Sequence, residues 1–489
     1  MNLDLQVMKF GGTSVGDAAC IRRTADIIKG GTKDYSVVAV VSAMSGVTNR
    51  LIEAARRSAS GDETAAIELA QSLRRQHHEA LEIIVKDDKK RVQLMAECDS
   101  LIEDAARLCR GTALLRELTP RALDYVSSVG ERLSSRLVAA ALGEGGVPCV
   151  AIEATELIVT TNDHGQAEPL MDETRERASA LIKPLIAEGV VPIVTGFIGA
   201  TSDGVLTTLG RGGSDYSATI LGAALDASEI IIWTDVEGVM TADPRLVPEA
   251  RTIREISYSE AAELAYFGAK VLHPKTLMPV ADAEIPVWIR NSFAPEMPGT
   301  KITSAGNPTE SGVKAITAIS GVTMITVGGR GIVGVPGVAA KVFTAAANAR
   351  ANVLLISQSS SQNDICFIIN STDAERTVGS LRAAFALDLA HHQVEYITVD
   401  RDIAIVAAVG ERMRGTPGIA GRVFSALGRE GVNIIAIAQG SSEYNVSFVI
   451  EASAMRRAVA VVHREFRLET RGLAGHPEES ALAETSTSR

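Results

Sequence analysis

The chain contains a glycine-rich turn that reads Thr207-Thr208-Leu209-Gly210-Arg211-Gly212-Gly213-Ser214-Asp215-Tyr216-Ser217. An apolar run over 191–198 precedes this turn and small residues with helical spacing follow it over 217–225, so we predict a strand-to-helix junction. The glycines let backbone N–H groups approach a ligand, and the following helix adds the positive end of its dipole. The pattern predicts an anion site, although an aspartate that merely caps the helix would look the same.

A second glycine turn follows the first predicted strand, residues 5–10. Lys9 stands near the end of that strand, two positions before Gly11, and Gly11 and Gly12 lead into a helix pattern that runs to residue 29. An ammonium group there could neutralise a phosphate held by the two glycine amides, although a lysine at a strand end is often simply solvated. The sequence therefore contains two candidate phosphate loops.

Strands that alternate with helices up to residue 295 predict a layered α/β domain with a mainly parallel sheet. The predicted strands include apolar runs at 37–41, 147–152, 190–194, 229–233 and 285–291. Residues 51–142 are almost wholly helical in pattern, and we place the His77-His78 pair on a solvated helix face. Because ligands of parallel sheets bind at the carboxyl ends of the strands, the loops after 37–41 and 229–233 are candidate site segments.

The composition excludes several classes of function. The 489 residues carry a formal net charge of −11 and no basic run, so we expect no nucleic-acid partner. Five cysteines are scattered without a Cys-x-x-Cys pair, which argues against a disulfide frame and a zinc site. No apolar run reaches about 18 residues and no leader pattern is present, so we expect a cytoplasmic protein with no membrane span.

The C-terminal part of the chain contains an internal repeat. Gly-Val-Pro-Gly-Val from Gly334 returns 81 positions later as Gly-Thr-Pro-Gly-Ile from Gly415, and Gln358 returns as Gln439. Each copy has the element order of a ferredoxin-like βαββαβ domain. The predicted parts are a linker over 296–312, a first domain over 320–400, a second domain built from 313–319 with 401–468, and a disordered tail over 469–489.

A dinucleotide motif within the first copy is a false match. Residues 329–334 fit Gly-x-Gly-x-x-Gly after an apolar strand. An NAD site would place an acid at the end of the next strand, where this chain has Gln358, and Pro336 stands at the helix start. The second copy lacks the glycines, so we predict no NAD site.

In their order along the chain, these motifs resemble those of aspartate kinases, which belong to the amino acid kinase family and carry two ACT regulatory domains. The segments that carry the resemblance are Lys9–Val15, Ser42–Asn49, Gly130-Glu131, Leu209–Asp215, Thr234-Asp235, Asp243-Pro244-Arg245 and Gly268–Pro274. The resemblance implies a kinase domain over residues 1–295 that uses ATP and Mg²⁺ to phosphorylate the β-carboxylate of L-aspartate. That carboxylate is already ionised at neutral pH, with a pKa of about 3.9, so no general base is needed.

The resemblance also implies roles for individual residues. Lys9 and Asp215 would serve phosphoryl transfer, Glu131 would pair with the substrate ammonium, and Arg211 would pair with a carboxylate. The residues implied to hold aspartate are Ser42, Thr48, Glu131, Arg211 and Ser214. Those implied to hold the nucleotide are Lys9, Gly11, Gly12, Ser14, Thr234, Asp235, Met240, Arg245 and Lys270. Met240 departs from many relatives, which have an aromatic residue there, and no protein metal ligand is assigned.

Each repeat ends its second strand in a glutamine followed by small residues. An amide can donate and accept at once, so Gln358 and Gln439, with Asn352 and Asn433, are candidate ligands of a free amino-acid effector. A glutamine that only caps a hairpin is the alternative. The motif resembles that of threonine-sensitive enzymes, so we expect threonine rather than lysine as the inhibitor. ACT sheet edges generally pair between subunits, so we expect a homodimer or a dimer of dimers.

Three other functions fit part of the pattern. Another amino acid kinase, such as a glutamate kinase, would share the loops, but the paired ACT repeats favour aspartate. A non-catalytic amino-acid sensor would not need Lys9, Asp215 and two anion loops together. A bifunctional enzyme with a fused homoserine dehydrogenase is not expected, because only about 20 polar residues follow the second repeat.

Overall fold

The computed structural model describes residues 3–268, 272–307, 312–358, 363–411, 413, 416–438 and 444–470. The described residues form two compact units. The first takes those of Met1–Val239, Arg254–Ala262 and Val271–Asn307, and the second takes those of Met240–Ile253, Glu263–Lys270 and Pro308–Arg489. In these ranges, no helix combines the length and apolar character needed to cross a bilayer.

An eight-stranded sheet lies at the centre of the first unit, in the order β3-β4-β2-β1-β7-β9-β10-β8. The strands up to residue 303 are β1 (Leu5–Phe10), β2 (Ser36–Val41), β3 (Cys149–Ile152), β4 (Val191–Thr195), β5 (Ile198–Ala200), β6 (Leu206–Thr208), β7 (Glu229–Thr234), β8 (Glu255–Ser257), β9 (Val287–Asn291) and β10 (Thr300–Thr303). All pairs in this sheet are parallel except β9 with β10. Strands β5 and β6 form a separate antiparallel hairpin. The prediction of a mainly parallel α/β sheet is confirmed.

Helices cover this sheet because its central strands are apolar on both faces: five of the six residues in β1 and in β2 are buried. The helices up to residue 282 are α1 (Ala18–Gly31), α2 (Val47–Ala59), α3 (Ala65–Ile84), α4 (Asp88–Leu115), α5 (Pro120–Glu144), α6 (Met171–Ala187), α7 (Gly213–Ala224), α8 (Tyr258–Tyr266) and α9 (Pro274–Asp282). Helix α5 starts where Pro120 follows Thr119, whose side chain accepts a hydrogen bond from the N–H of Ala122 at 3.2 Å.

The placement of His77 on a solvated face is wrong. Helix α3 packs against α2, α4 and α5, and the His77 side chain is fully buried in that packing. Its Nδ1 lies 2.7 Å from the carbonyl oxygen of Leu73, and burial lowers the pKa of the imidazole to about 4. His77 is therefore a neutral core residue.

A six-stranded antiparallel sheet forms the second unit, in the order β12-β13-β11-β14-β16-β15. Its strands are β11 (Ala315–Gly328), β12 (Val353–Gln358), β13 (Asp364–Asn370), β14 (Tyr396–Val409), β15 (Ile434–Ala438) and β16 (Asn445–Glu451). Its helices are α10 (Val338–Asn348), α11 (Ala374–Ala384), α12 (Ala386–Ala390), α13 (Ile419–Arg429) and α14 (Met455–Glu465).

Strands β11 and β14 are shared by the two copies of the repeat. Residues 315–319 of β11 pair with 405–409 of β14, and a register shift separates them from residues 322–328, which pair with β13. The start of β11 thus adds a strand to the second copy. The equivalent residues Phe367 and Phe448 are each fully buried in a separate apolar core.

Candidate active site

The glycine-rich turn joins β6 to α7. Gly210 and Gly212 have φ of +78° and +73°, in the left-handed region that favours glycine. A Cβ atom at Gly213 would lie 2.6 Å from the Phe197 ring, so no side chain fits there. The turn therefore brings bare backbone and the first turn of α7 to the surface of a cavity.

That cavity has a volume of about 790 Å³ and lies at the carboxyl ends of neighbouring parallel strands. Lys9 is on β1, Ser42 directly follows β2, and Thr234 ends β7. Eleven of the residues predicted for the site line the cavity: Lys9, Gly11, Gly12, Ser42, Thr48, Glu131, Arg211, Ser214, Asp215, Thr234 and Asp235. Candidates from five separate stretches of sequence thus meet at one edge of the sheet.

Lys9 and Asp215 form an ion pair between Nζ and Oδ1. Their side chains are only 9% and 15% exposed, so the pair is largely removed from water. The first strand and the first turn of α7 each contribute one partner. Because a buried charge requires a partner, the pair joins the two glycine turns electrostatically.

Glu131 is the most strongly perturbed acid of the cavity. It lies on α5, is 4% exposed, and burial raises the pKa of its carboxyl to about 8, although the Ala43 amide and the Lys9 charge oppose this rise. Its Oε2 has no hydrogen-bond partner among the described residues. An unpartnered buried carboxyl oxygen in a cavity is suited to receive a cationic group of a ligand.

Other predicted residues lie outside the cavity lining. Ser14 is buried, and its hydroxyl shares a 2.8 Å hydrogen bond with that of Ser292. Met240 belongs to the second unit, where its sulfur accepts a 3.5 Å hydrogen bond from Thr252. Arg245, also in that unit, is 80% exposed and pairs with Asp243 at 2.6 Å. The predictions for Lys270 and Gln439 fall outside the described residues.

The sequence reasoning missed several residues of the cavity lining. The most polar of them is Asp124, which lies with Ser127 and Glu131 on one face of α5. Their spacing of i, i+3 and i+7 is the signal that could have revealed them, because such positions share one face of a helix. Phe197 was also missed; it has φ of +72°, a conformation that residues other than glycine rarely adopt.

Comparison with known proteins identifies the family. Residues 4–291 match the model of the amino acid kinase family, and residues 325–385 and 406–466 each match an ACT domain model. This chain belongs to the amino acid kinase family. The predicted combination of this kinase fold with two ACT domains is therefore confirmed.

The relatives of this family member are aspartokinases. Bifunctional aspartokinase/homoserine dehydrogenase 2, chloroplastic, of Zea mays is 35% identical over 473 residues, which are 96% of this chain and 51% of the relative. The chain thus spans about half the length of the curated relatives it matches. The expected absence of a fused dehydrogenase and the expected cytoplasmic location stay predictions.

Two solved structures of one bacterial relative have the same fold. E. coli aspartokinase III in complex with aspartate and ADP (R-state) is 32% identical, with a TM-score of 0.79 over 94% of this chain and 99% of that chain. The same enzyme in complex with lysine and aspartate (T-state) gives a TM-score of 0.77 at 32% identity and the same coverage. The similarity therefore extends over both units.

Proposed function

We propose that this amino acid kinase is an aspartate kinase: it transfers the γ-phosphate of MgATP to the β-carboxylate of L-aspartate and forms 4-phospho-L-aspartate. This is the first step of the lysine, threonine and methionine pathways. The observation that carries the proposal is the presence in one cavity of the Lys9–Asp215 pair and of Glu131, whose Oε2 has no partner among the described residues. The aspartate and ADP bound to the E. coli relative support it.

On the donor side, the two glycine turns would hold the phosphates. The N–H of Gly11 already donates to the carbonyl oxygen of Trp233 at 3.1 Å, so the amide of Gly12 and the first turn of α7 would offer N–H groups to phosphate oxygens. Thr234 and Asp235 line the same cavity and are proposed to bind the nucleotide. Mg²⁺ arriving with the nucleotide would neutralise phosphate charge, and Asp215, whose side chain is 15% exposed, would orient it or Lys9.

On the acceptor side, Glu131 would bind the ammonium of aspartate and Arg211 would bind a carboxylate. The ionised β-carboxylate then attacks the γ-phosphorus, so a new O–P bond forms while the bond between the γ-phosphorus and the bridging oxygen breaks and ADP leaves. No proton needs to be removed from the nucleophile. The protein contributes alignment, through these side chains, and neutralisation of charge by Lys9.

The test of this function is ADP production with purified protein against a panel of acceptors. Aspartate should support turnover well above that of glutamate, asparagine and acetate, because only aspartate presents an ammonium and a second carboxylate at the required separation. Preference for glutamate would identify the rival amino acid kinase. The absence of ADP production with every acceptor would favour the non-catalytic sensor.

We also propose that the repeat domains bind an inhibitory amino acid, with threonine as the first candidate. Gln358 ends β12 and is exposed, as are Asn352 and Asn433 before β12 and β15. The two edge strands β12 and β15 approach each other within 8 Å between Cα atoms, so the ends of the two copies are close enough to share a small ligand. The lysine bound to E. coli aspartokinase III makes lysine the second candidate.

A dimer formed through these edges is part of the same proposal. Ile356 on β12 and its repeat equivalent Ile437 on β15 are 51% and 46% exposed. Large apolar side chains on unpaired strand edges favour pairing with another chain. A homodimer, or a dimer of dimers, would cover them.

Replacing Gln358 by Ala should raise the threonine concentration that halves activity by at least about tenfold, or abolish inhibition altogether. The loss of one or two hydrogen bonds to a small ligand weakens binding by this amount. Uninhibited kcat should not change. The measurement is the threonine concentration that halves activity, with Gln393→Ala, another exposed amide of the second unit, as the control. Inhibition by lysine alone, or threonine inhibition that survives in the Gln358→Ala/Gln439→Ala double variant, would contradict the proposed pocket.

A further inference from the structure

A buried carboxylate that the proposed chemistry does not use lies beside the glycine-rich turn. Asp124 is 2% exposed and lines the cavity. It lies on α5, seven residues before Glu131, and therefore on the same face of that helix. Any movement of α5 would displace both carboxylates together.

Both oxygens of Asp124 are occupied by donors from two other segments. Oδ1 accepts a hydrogen bond from the hydroxyl of Thr208 at 2.6 Å. Oδ2 accepts from the N–H of Gly165 at 3.1 Å and of Thr208 at 3.3 Å, and lies 2.7 Å from Nδ1 of His164. Four contacts to two oxygens leave little capacity for a substrate, so Asp124 acts through the segments it holds.

Those segments adjoin the turn that carries Arg211. Thr208 is the last residue of β6, three positions before Arg211. The turn at Gly165 lies against Gly210, where a Cβ atom would be 2.8 Å from the Gly165 carbonyl oxygen. Arg211 itself is exposed, so the position of its guanidinium depends on the backbone of this turn.

We propose that Asp124 is a positioning residue for the acceptor substrate, because it fixes α5, which carries Glu131, relative to the turn that carries Arg211. This inference rests on the proposed function, in which Glu131 binds the ammonium and Arg211 binds a carboxylate of one small molecule. A misplacement of about 1 Å between two such groups weakens binding and misaligns the nucleophile. Lys9 and the turn at Gly11 lie outside the segments that Asp124 holds, so nucleotide binding should be affected less than aspartate binding, although the first turn of α7 also serves the phosphates.

The test compares Asp124→Asn with wild type in steady-state kinetics and hydrogen–deuterium exchange. Asn has nearly the same shape but replaces one acceptor oxygen by an NH₂ group, which faces N–H donors. We expect KM for aspartate to rise by about tenfold or more, with KM for ATP within about twofold. Backbone amides of peptides spanning 162–168 and 207–213 should exchange faster in the variant.

A second variant covers the case in which Asp124→Asn does not fold. Thr208→Val removes only the hydroxyl donor and should raise KM for aspartate in the same direction, and Thr208→Ser, which retains a hydroxyl, should recover most of the loss. The matched control is Glu260→Gln, another fully buried carboxylate of the first unit, which accepts from the N–H of Ser257 at 2.9 Å and does not line the cavity. This control should leave KM for aspartate unchanged.

The outcomes separate this inference from the proposed function. Equal changes in both KM values, or unchanged exchange at 162–168 and 207–213, would overturn the positioning role. A wild-type protein that does not phosphorylate aspartate would overturn the proposed function, while the exchange comparison would still decide whether Asp124 holds the turn.

Discussion

Replacing Lys9 or Asp215 by Ala is expected to lower kcat for aspartate phosphorylation by about 100- to 1000-fold or more. Lys9 is placed to stabilise the charge that develops on the transferred phosphoryl group, and loss of one such donor has effects of this size. Asp215 is its ion-pair partner, so removal of Asp215 leaves the Lys9 ammonium unpaired and misplaced. The measurement is single-turnover phosphorylation at saturating ATP and aspartate.

Two controls separate loss of chemistry from loss of fold. Asp215→Asn keeps the size of the side chain, and circular dichroism and thermal unfolding should show it folded. Lys90→Ala removes a lysine from a half-exposed ion pair with Glu144 at 3.6 Å, and its kcat should stay within about twofold of wild type. Wild-type turnover in a folded Lys9→Ala or Asp215→Ala protein would contradict the assignment.

Glu131→Gln is expected to raise KM for aspartate by about 100-fold, because the substrate ammonium loses its only proposed anionic partner in a buried site. KM for ATP should change by less than about threefold.

In the wild type, Glu131 must also lose its proton to bind the ammonium, since burial raises its pKa to about 8. KM for aspartate should therefore fall as pH rises from about 6 to 8, by up to about tenfold per pH unit, and Glu131→Gln should lack this dependence.

The same pKa predicts the stability of this variant. Because the folded pKa lies near 8 and the ordinary pKa of a glutamate is 4.5, the folded protein holds more protons at this site than the unfolded chain between these limits. Its contribution to the free energy of unfolding therefore falls as pH rises through that window. Glu131→Gln should be at least as stable as wild type at pH 8. If Glu131→Gln is less stable than wild type at pH 8, or if only its KM for ATP changes, Glu131 has a different role.

Several residues of the cavity could be predicted because they lie in locally unusual sequences. Arg211 and Asp215 lie among several glycines, which indicate a turn with an unusual backbone conformation. Lys9 precedes a double glycine at the end of an apolar strand. These signals require no knowledge of packing. The positions of the main strands along the chain could also be predicted from the apolar runs, without knowledge of packing.

The residues that were missed depend on packing between distant segments. Spacing places Asp124 on the face of α5 that carries Glu131, but only its contacts with Thr208 and Gly165 show what it holds there. The burial of His77 depends on the helices that pack on α3. Strands β5 and β6 have three residues each, too few for a pattern of period two to be recognised.

The second unit shows a limit of a different kind. The repeat indicated two similar domains, and residues 313–319 were assigned to the second of them. Pattern alone does not show that this segment continues into residues 320–328 as one strand of 14 residues. Gly321 has φ of +71°, and the register shift beside it lets one strand serve both copies.

The most direct test of the central claim is the chemical identity of the product. Wild-type protein with MgATP and L-aspartate, in the presence of hydroxylamine, should yield the β-hydroxamate of aspartate in a one-to-one ratio with ADP, because an acyl phosphate at the β-carboxyl reacts with this nucleophile. Omission of ATP or replacement of Lys9 by Ala should abolish the product. Formation of the α-hydroxamate, of the hydroxamate of glutamate in preference to that of aspartate, or of ADP with no hydroxamate at all would contradict the assignment of this site to phosphorylation of the β-carboxylate of aspartate.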